Sequence, residues 1–330
     1  MRVLVTGATG FLGKALTRRL ITMGMDVTAQ GRNPSILAQL ETEGAHPVQA
    51  NLTDAQLIKA ACKNQEIVYH CAALSSPWGR AREFHQSNVI GTHNVVQGCE
   101  AGAVSRLVFV STPSIYFHYD SKVNVVEDAP LPSRPVNTYA LTKLLAEKEI
   151  DRAFAVGLPV ITLRPRAIFG PGDTTILPRL INLLQKNRLP IIGDGQNIAD
   201  LTYIDNVVDA LILCMRSPQN SLGKKFNITN GEPVRLWEMV NKLCDELGFV
   251  HPQRHLSYPL ADAAAAFMEG IYRFLPGQPE PPLTRYTVST VAKSSTLDIA
   301  AARTYLGYEP RVTIEEGFSR FIDWWKRTHR

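Results

Sequence analysis

The 330-residue sequence predicts an α/β fold, with a doubly wound parallel sheet followed by a smaller C-terminal α/β region. Two observations support this fold class. Short apolar runs alternate with helical patterns through the first half of the chain, and the first apolar run leads directly into a glycine-rich turn. Beyond about residue 165 the alternation loosens, and glycine and proline turn signals separate shorter elements.

Each element of the first half follows from its pattern. Buried parallel strands are predicted where apolar residues come together, at Val3–Thr6, Asp26–Ala29, Pro47–Ala50, Ile67–Cys71, Leu107–Ser111 and Val160–Leu163. Helices are predicted where apolar residues recur at helical spacing, at Phe11–Met23, Ser35–Glu43, Ala55–Ala61, Phe84–Ala101 and Thr138–Val156. This alternation is typical of a Rossmann-like sheet with helices on both faces, whose ligands lie beyond the carboxyl ends of the strands.

The glycine turn predicts a dinucleotide site. Gly7, Gly10 and Gly13 follow the first strand and open the first helix, with the spacing G-x-x-G-x-x-G. A helix N-terminus at this point directs free N–H groups and a positive dipole end towards a pyrophosphate. We therefore expect residues 1–164 to form a dinucleotide-binding domain, to which segments near 200–216 return, and residues 165–330 to form mainly a substrate-binding region.

Composition argues against several classes of function. Lysine plus arginine number 35 against 30 aspartate plus glutamate, without basic runs, so nucleic acid is not expected as a partner. Five scattered cysteines indicate reduced thiols in a cytoplasmic protein. Strand residues begin at position 2, which leaves no room for a signal peptide, and no apolar stretch reaches the ~18 residues of a membrane span. His251 and His255 lack an accompanying carboxylate motif, so no metal site is expected.

Tyr139 and Lys143 are the main catalytic candidates. Asn137 and Thr138 are helix-cap candidates just before them, and the i, i+4 spacing puts both side chains on one helix face. A phenol with a pKa near ~10 is a poor proton donor or acceptor at neutral pH. A neighbouring ammonium group favours the phenolate and brings the phenol closer to the working range.

These patterns resemble the extended short-chain dehydrogenase/reductases, the NAD-dependent epimerase/dehydratase family. The resemblance covers essentially the whole chain and rests on motifs in this order: T-G-A-T-G-F-L-G at Thr6–Gly13, H-C-A-A at His70–Ala73, N-V-I-G-T at Asn88–Thr92, V-S-T at Val110–Thr112, Y-A-L-T-K at Tyr139–Lys143 and L-R-P-R-A-I-F-G-P-G at Leu163–Gly172. It implies that Tyr139 is the general acid/base and that Lys143 binds the nicotinamide ribose. Thr112, four residues before Tyr116, would be the hydroxyl partner, and Asn88 the asparagine that steadies the site.

The resemblance also implies the cofactor contacts, which are Gly7, Thr9, Gly10, Phe11, Leu12, Gly13, Arg32, Asn51, Leu52, Cys71, Ala72, Ala73, Tyr139, Lys143, Pro165 and Ile168. NAD-preferring enzymes place an acid at the end of the second strand to accept from the ribose hydroxyls. This chain has Gln30, Gly31 and Arg32 there, and an arginine suits a 2′-phosphate. We expect NADP, with NAD as the alternative. Asn51 stands where relatives usually carry Asp against the adenine amine.

The branch of the family follows from two departures. Ala199 occupies the position at which nucleotide-sugar epimerases and dehydratases carry an arginine, and Pro165-Arg166 stands in a region where that branch favours Asn. The chain instead resembles the 3β-hydroxysteroid dehydrogenase group, which includes 2-alkyl-3-oxoalkanoate reductases, through S-T-P-S at Ser111–Ser114, D-L-T-Y-I-D-N at Asp200–Asn206 and P-P-L-T-R at Pro281–Arg285. The expected substrate contacts are Ser75, Trp78, Ser114 and Arg166.

This resemblance implies an oxidoreductase that reduces a ketone, or oxidises the secondary alcohol, of a hydrophobic 3-oxo or 3-hydroxy substrate. The alternative is a nucleotide-sugar 4-epimerase or dehydratase, and a non-catalytic dinucleotide-responsive protein is the third hypothesis. An amphipathic helix is expected at Pro259–Leu275, where it would cover the substrate pocket, touch a membrane surface or simply pack. A homodimer is implied by the resemblance alone.

Overall fold

The computed structural model describes residues 1–329. Its strands are β1 (Arg2–Thr6), β2 (Asp26–Gly31), β3 (His46–Gln49), β4 (Ile67–His70), β5 (Arg106–Val110), β6 (Lys122–Val125), β7 (Val160–Pro165), β8 (Ile168–Phe169), β9 (Ile191–Ile192), β10 (Ile198–Ala199), β11 (Thr202–Tyr203), β12 (Lys225–Ile228), β13 (Val234–Arg235), β14 (His255–Leu256) and β15 (Ser295–Leu297). All six strands predicted for the first half are confirmed, with ends that move by one or two residues.

The α-helices are α1 (Phe11–Thr22), α2 (Pro34–Thr42), α3 (Ala55–Cys62), α4 (Ala81–Phe84), α5 (Gly91–Ala101), α6 (Thr138–Ala155), α7 (Leu177–Gln185), α8 (Ile204–Arg216), α9 (Leu236–Leu247), α10 (Tyr258–Phe274), α11 (Arg285–Ala292), α12 (Ala300–Leu306) and α13 (Ile314–Thr328). Among the described residues no helix is both long and apolar enough to cross a bilayer. The helix predicted at Phe84–Ala101 is divided, because a π-helical segment at His85–Ile90 lies between α4 and α5.

The main sheet confirms the predicted fold class. Seven strands lie in the order β12-β7-β5-β4-β1-β2-β3, and every neighbouring pair is parallel. The strand order reverses beside β1, so the carboxyl ends of β1 and β4 meet at the point where such sheets bind ligands. The seventh strand, β12, was not predicted, because its four residues carry only two apolar side chains.

Side chains on alternate positions of the strands divide the core into two layers. Val3 and Val5 join a cluster with Leu16 of α1 and Val207 of α8 on one face. Leu4, between them, joins a cluster with residues of α3, α5 and α6 on the other face. Strands that are apolar on both faces, as the sequence pattern indicated, therefore bury both faces under helices.

The chain crosses between the main sheet and a second one. The helix α8 packs on α1, and β12 also returns to the main sheet. In the other direction β6, which lies inside the first 164 residues, pairs with β15 in a four-stranded sheet of order β13-β10-β15-β6. The long connection after β5 carries β6 out of the main sheet, so residues 113–137 reach the C-terminal region.

Candidate active site

The glycine turn after β1 forms a close-packed cradle. Gly7 has φ +69°, and a Cβ at this residue would lie 2.7 Å from the Ala72 Cα in the loop after β4. A Cβ at Gly13 would lie 2.1 Å from the Gly7 carbonyl oxygen. Gly10 caps α1 without a side chain. The predicted contacts Gly7, Gly10, Gly13 and Ala72 thus come together, and the free N–H groups of α1 suit the pyrophosphate of a dinucleotide.

The end of β2 is braced from inside the protein. The buried Gln30 side chain donates to the Ala50 carbonyl oxygen over 2.7 Å and accepts from the Gly7 N–H over 3.2 Å. A Cβ at Gly31 would lie 2.4 Å from Cγ2 of Thr9, so the threonine fills the space that a side chain at position 31 needs. Arg32 follows on the surface with an exposed side chain. The end of β2 therefore offers an exposed cation and no carboxylate.

The other predicted cofactor residues lie around the ends of the parallel strands. Asn51 is exposed, and its Oδ1 accepts from the Thr53 N–H over 3.3 Å. Leu52 is buried against Gly91 at the start of α5. The ring of Phe11 lies beside Gly172 in the loop after β8, 3.8 Å from where a Cβ of Gly172 would be. The remaining predicted cofactor residues are spread over four elements. Cys71 and Ala73 lie in the loop after β4, Leu12 at the start of α1, Pro165 at the end of β7 and Ile168 in β8.

Tyr139 lies in the first turn of α6, whose N-cap is Asn137, as predicted. Burial raises the pKa of the Tyr139 phenol above its ordinary value, and the neighbouring Thr112 and Ser75 hydroxyls partly offset that rise. The lowering of this pKa that the Lys143 ammonium was expected to cause is therefore not found. Thr112 is buried at the end of β5, and Ser75 lies in the loop after β4. The structure therefore brings the predicted phenol and its predicted hydroxyl partner together, with Ser75 as a second hydroxyl.

Lys143 is held one helical turn below Tyr139. Its Nζ donates to the Val110 carbonyl oxygen over 2.8 Å and lies 4.1 Å from the centre of the Phe109 ring. Burial lowers the pKa of Lys143 to about 7, while the carboxylate of Glu147 and the thiol of Cys71 act in the opposite direction. The ammonium group is thus buried and fixed by the backbone of β5, and its burial favours the neutral form of the amine.

A buried ion pair braces the helix that carries both residues. Glu147 receives hydrogen bonds from Arg164 Nε at 2.9 Å and Nη2 at 2.6 Å, and from the Ser111 hydroxyl at 2.5 Å. Both charged side chains are almost fully buried. Burial alone would raise the pKa of the Glu147 carboxyl. The hydrogen bonds and the positive charge of Arg164 outweigh that effect, so the pKa is lowered. The pair ties α6 to the ends of β5 and β7.

Asn88 acts through the backbone around the site. Its Oδ1 accepts from the Leu74 N–H at 2.7 Å, and its Nδ2 donates to the Leu74 carbonyl and the Thr142 hydroxyl, both at 3.1 Å. The π-helical segment that carries Asn88 widens the turn at this point, which is typical of functional sites. Asn88 therefore holds the loop after β4 against α6, and we assign it a positioning role.

Two further residues around the site were not found from sequence. The phenol of Tyr286, on α11, lies 3.2 Å from the Ser114 hydroxyl, which in turn accepts from Thr112 at 3.1 Å. No sequence signal marks Tyr286, because only the packing of α11 places it here. Glu147 follows Lys143 at helical spacing, so an extension of the Y-x-x-x-K pattern by one turn would have found it.

The remaining predicted substrate residues line the same side. Trp78 donates from Nε1 to the Gln278 carbonyl oxygen over 3.2 Å, which connects the loop after β4 to the loop after α10. Arg166 lies just beyond β7 and is mostly buried, and its Nε has no hydrogen-bond partner within residues 1–329. Within the same residues no cluster of three or more potential metal ligands occurs.

Comparisons with known proteins agree with this geometry. The model of the 3-beta hydroxysteroid dehydrogenase/isomerase family matches residues 4–260. The chain is 36% identical to the 2-alkyl-3-oxoalkanoate reductase of Stenotrophomonas maltophilia, over 97% of this chain and 98% of that protein. It is 31% identical to the 4-hydroxy-2-methyl-3-oxo-4-farnesyl-3,4-dihydroquinoline-1-oxide ketoreductase of Stigmatella aurantiaca, over 96% and 94% of the two chains.

A solved structure supports the fold over the full length. The structure of MoeE5 in complex with UDP-glucose and NAD superposes with a TM-score of 0.76 and 28% identity, and all of both chains is covered. The fold and these relatives define an oxidoreductase of the extended short-chain dehydrogenase/reductase class. Within that class, the chain belongs to the 3-beta hydroxysteroid dehydrogenase/isomerase family.

Proposed function

We propose that this protein uses NADP to reduce the ketone of a hydrophobic 3-oxo substrate, such as a 2-alkyl-3-oxoalkanoate, or to oxidise the matching 3-hydroxy compound, including a 3-hydroxysteroid. One observation carries the proposal: the Tyr139 phenol lies beside the hydroxyls of Thr112 and Ser75, one turn from the Lys143 ammonium. This is the donor set that a carbonyl oxygen needs when it becomes an alkoxide.

Each side chain has a distinct task in this reaction. Thr112 and Tyr139 donate hydrogen bonds to the carbonyl oxygen, and Tyr139 delivers the proton as the carbon is reduced. Lys143 stabilises the phenolate that remains. The glycine cradle at Gly7 and Gly13 fits a dinucleotide, whose bound nicotinamide would exchange a hydride with the substrate carbon.

The preference for NADP rests on the end of β2. Thr9 occupies the space beside Gly31, so a carboxylate at position 31 has no room, and the exposed Arg32 guanidinium suits the 2′-phosphate. NAD is the alternative cofactor, because the similar solved structure of MoeE5 contains NAD.

We expect Arg32→Glu to raise the KM for NADPH about 10–100-fold, because a charged hydrogen bond of ~1.5–3 kcal/mol is replaced by repulsion. The KM for NADH should change little, since it has no phosphate at that position. Steady-state kinetics with both cofactors measures this, and Arg32→Gln should give an intermediate effect. An equal KM for NADPH in wild type, Arg32→Glu and Arg32→Gln would show that Arg32 does not recognise the cofactor.

The main alternative activity is that of a nucleotide-sugar epimerase or dehydratase. The solved structure with UDP-glucose supports it through fold, whereas Ala199 at the position of a diphosphate-binding arginine opposes it. The most direct test follows NADPH and NADH oxidation with a long-chain 2-alkyl-3-oxo acid and a 3-ketosteroid, with conversion of UDP-glucose assayed in parallel. We expect NADPH oxidation with an apolar ketone. Conversion of UDP-glucose without net NADPH oxidation would refute the reductase function.

The wider organisation is proposed in the same terms. We propose that residues 1–164 together with α8 and β12 bind the dinucleotide, and that residues 165–330 otherwise form the substrate region. The outward face of α10 exposes Leu260, Phe267 and Phe274, while Asp262 and Glu269 turn inwards to Arg285. This acid-free apolar face supports peripheral contact with a lipid surface that supplies oily substrates. A homodimer is proposed on the family resemblance alone, and a cytoplasmic location on the five scattered cysteines.

A further inference from the structure

Arg166 carries a positive charge that nothing in the described chain neutralises by contact. Its Nε has no solvent contact and no hydrogen-bond partner. Burial lowers the pKa of the Arg166 guanidinium, and Tyr286 and Asp200 act in the opposite direction. Leaving the Nε–H donor of a guanidinium unpaired in a buried position is costly. The arrangement is therefore incomplete without an anion or another acceptor.

Asp200 does not supply that acceptor. Its carboxylate is fully buried and accepts from the Leu297 N–H over 2.7 Å, and it forms no salt bridge with Arg166. Arg164, two residues earlier, shows the contrast, because Glu147 pairs with two of its nitrogens. Of the two arginines in the R-P-R motif, Arg164 is therefore paired with a carboxylate inside the protein, whereas Arg166 is not.

The open arginine lines a pocket with an excess of positive charge. Lys122 and Lys293 lie in the same walls, against a single carboxylate, Asp120. The other lining side chains that offer polar atoms are hydroxyls and one imidazole: Ser289, Thr290, Ser294, Ser295, Tyr116 and His118. The cavity is small, with a volume of about 20 Å³, and admits one small polar group. This composition favours a compact anion.

The pocket adjoins the catalytic hydroxyls. Pro113, which follows Thr112 directly, is part of its wall. Tyr286 hydrogen-bonds with Ser114 and is close enough to Tyr139 and Arg166 to influence the charge state of both. In a 3-oxo acid only one carbon separates the ketone carbon from the carboxylate. The carboxylate of such a molecule is therefore never far from the ketone that reacts.

We propose that Arg166 binds the carboxylate of the substrate, so that the enzyme selects free 3-oxo or 3-hydroxy acids over neutral ketones of the same shape. The identity of the reacting group rests on the proposed function. Arg166 binds the carboxylate directly, and the neighbouring Lys122 and Lys293 make the electrostatic potential of the pocket more positive. A guanidinium fork is suited to this task because it pairs with both oxygens of a carboxylate.

The test compares a 2-alkyl-3-hydroxy acid with its primary amide, which has nearly the same shape and no charge. We expect the wild-type enzyme to oxidise the acid with a kcat/KM about 10–100-fold higher than the amide. Arg166→Leu should remove that preference by slowing the acid reaction only, and Arg166→Lys should restore part of it. Lys293→Met, a cation change in the same pocket, should cost less than Arg166→Leu.

A second readout separates this inference from the proposed function. Calorimetric titration of the enzyme with NADP⁺ bound measures the Kd of an unreactive 2-alkyl alkanoate and of its amide, without turnover. Tighter binding of the acid in wild type, lost in Arg166→Leu, supports the subsite even when no 3-hydroxy compound is oxidised. Equal binding of acid and amide by wild type, or an equal loss for both ligands in Arg166→Leu, would overturn it.

Discussion

Replacing Tyr139 by phenylalanine is expected to lower kcat for ketone reduction by about 10²–10⁴-fold, the usual contribution of a positioned general acid. The change removes only the phenolic oxygen, which lies beside the Thr112 and Ser75 hydroxyls. Phenylalanine fills the same space, so the helix α6 and the Lys143 contact with Val110 should persist. Single-turnover reduction measures the chemical step, and the Kd for NADPH should stay largely unchanged.

Tyr286→Phe is the matched control for that experiment. It also removes one phenolic oxygen near the site, but this oxygen bonds to Ser114 and reaches Thr112 only through that hydroxyl. We expect a much smaller loss of kcat than for Tyr139→Phe. A normal kcat for Tyr139→Phe, or a larger loss of kcat in Tyr286→Phe, would show that Tyr139 is not the general acid.

The second large effect is expected on stability. Glu147→Gln leaves the buried Arg164 guanidinium without its carboxylate, and breaking such a pair costs about 3–5 kcal/mol of the free energy of unfolding. Urea denaturation followed by circular dichroism measures the change. Glu149→Gln, on the same helix, is the control, because the Arg152 that pairs with Glu149 is largely exposed and such pairs contribute ~0–1 kcal/mol.

The pH dependence of that stability has a defined sign. Because the pKa of Glu147 is lowered in the folded state, its contribution is present above the unfolded value near ~4.3 and is lost as pH falls through the folded pKa. The difference between wild type and Glu147→Gln should therefore narrow as the solution becomes more acidic. An equal, small loss for Glu147→Gln and Glu149→Gln at neutral pH would show that the buried pair does not stabilise the fold.

Sequence reasoning found the parts of the molecule whose signal is local. The alternation of apolar runs and helical patterns predicted six of the seven strands of the main sheet, and the glycine spacing predicted the tight turn between β1 and α1. Tyr139, Lys143 and Thr112 were found because their spacing or their motif reaches only a few residues along the chain.

The rest depends on contacts between distant segments. Tyr286 reaches Ser114 across 172 residues of sequence, and β6 pairs with β15 over a similar separation. The two-residue strands β8 to β11 are too short for a period to show. Arg166 was expected to contact substrate, but only the structure shows that its Nε is unpaired while Arg164 is satisfied.

The late return of β12 to the main sheet has a consequence for synthesis of the chain on the ribosome. The strand β7 ends at Pro165, and β12, its only neighbour on that edge, begins at Lys225. At ~5–20 residues per second, about 3–12 seconds separate the two. During that interval the nascent chain presents an unpaired, apolar strand edge and an uncovered α1. Chaperones that shield exposed strands would meet this protein at that stage, before its nucleotide site is complete.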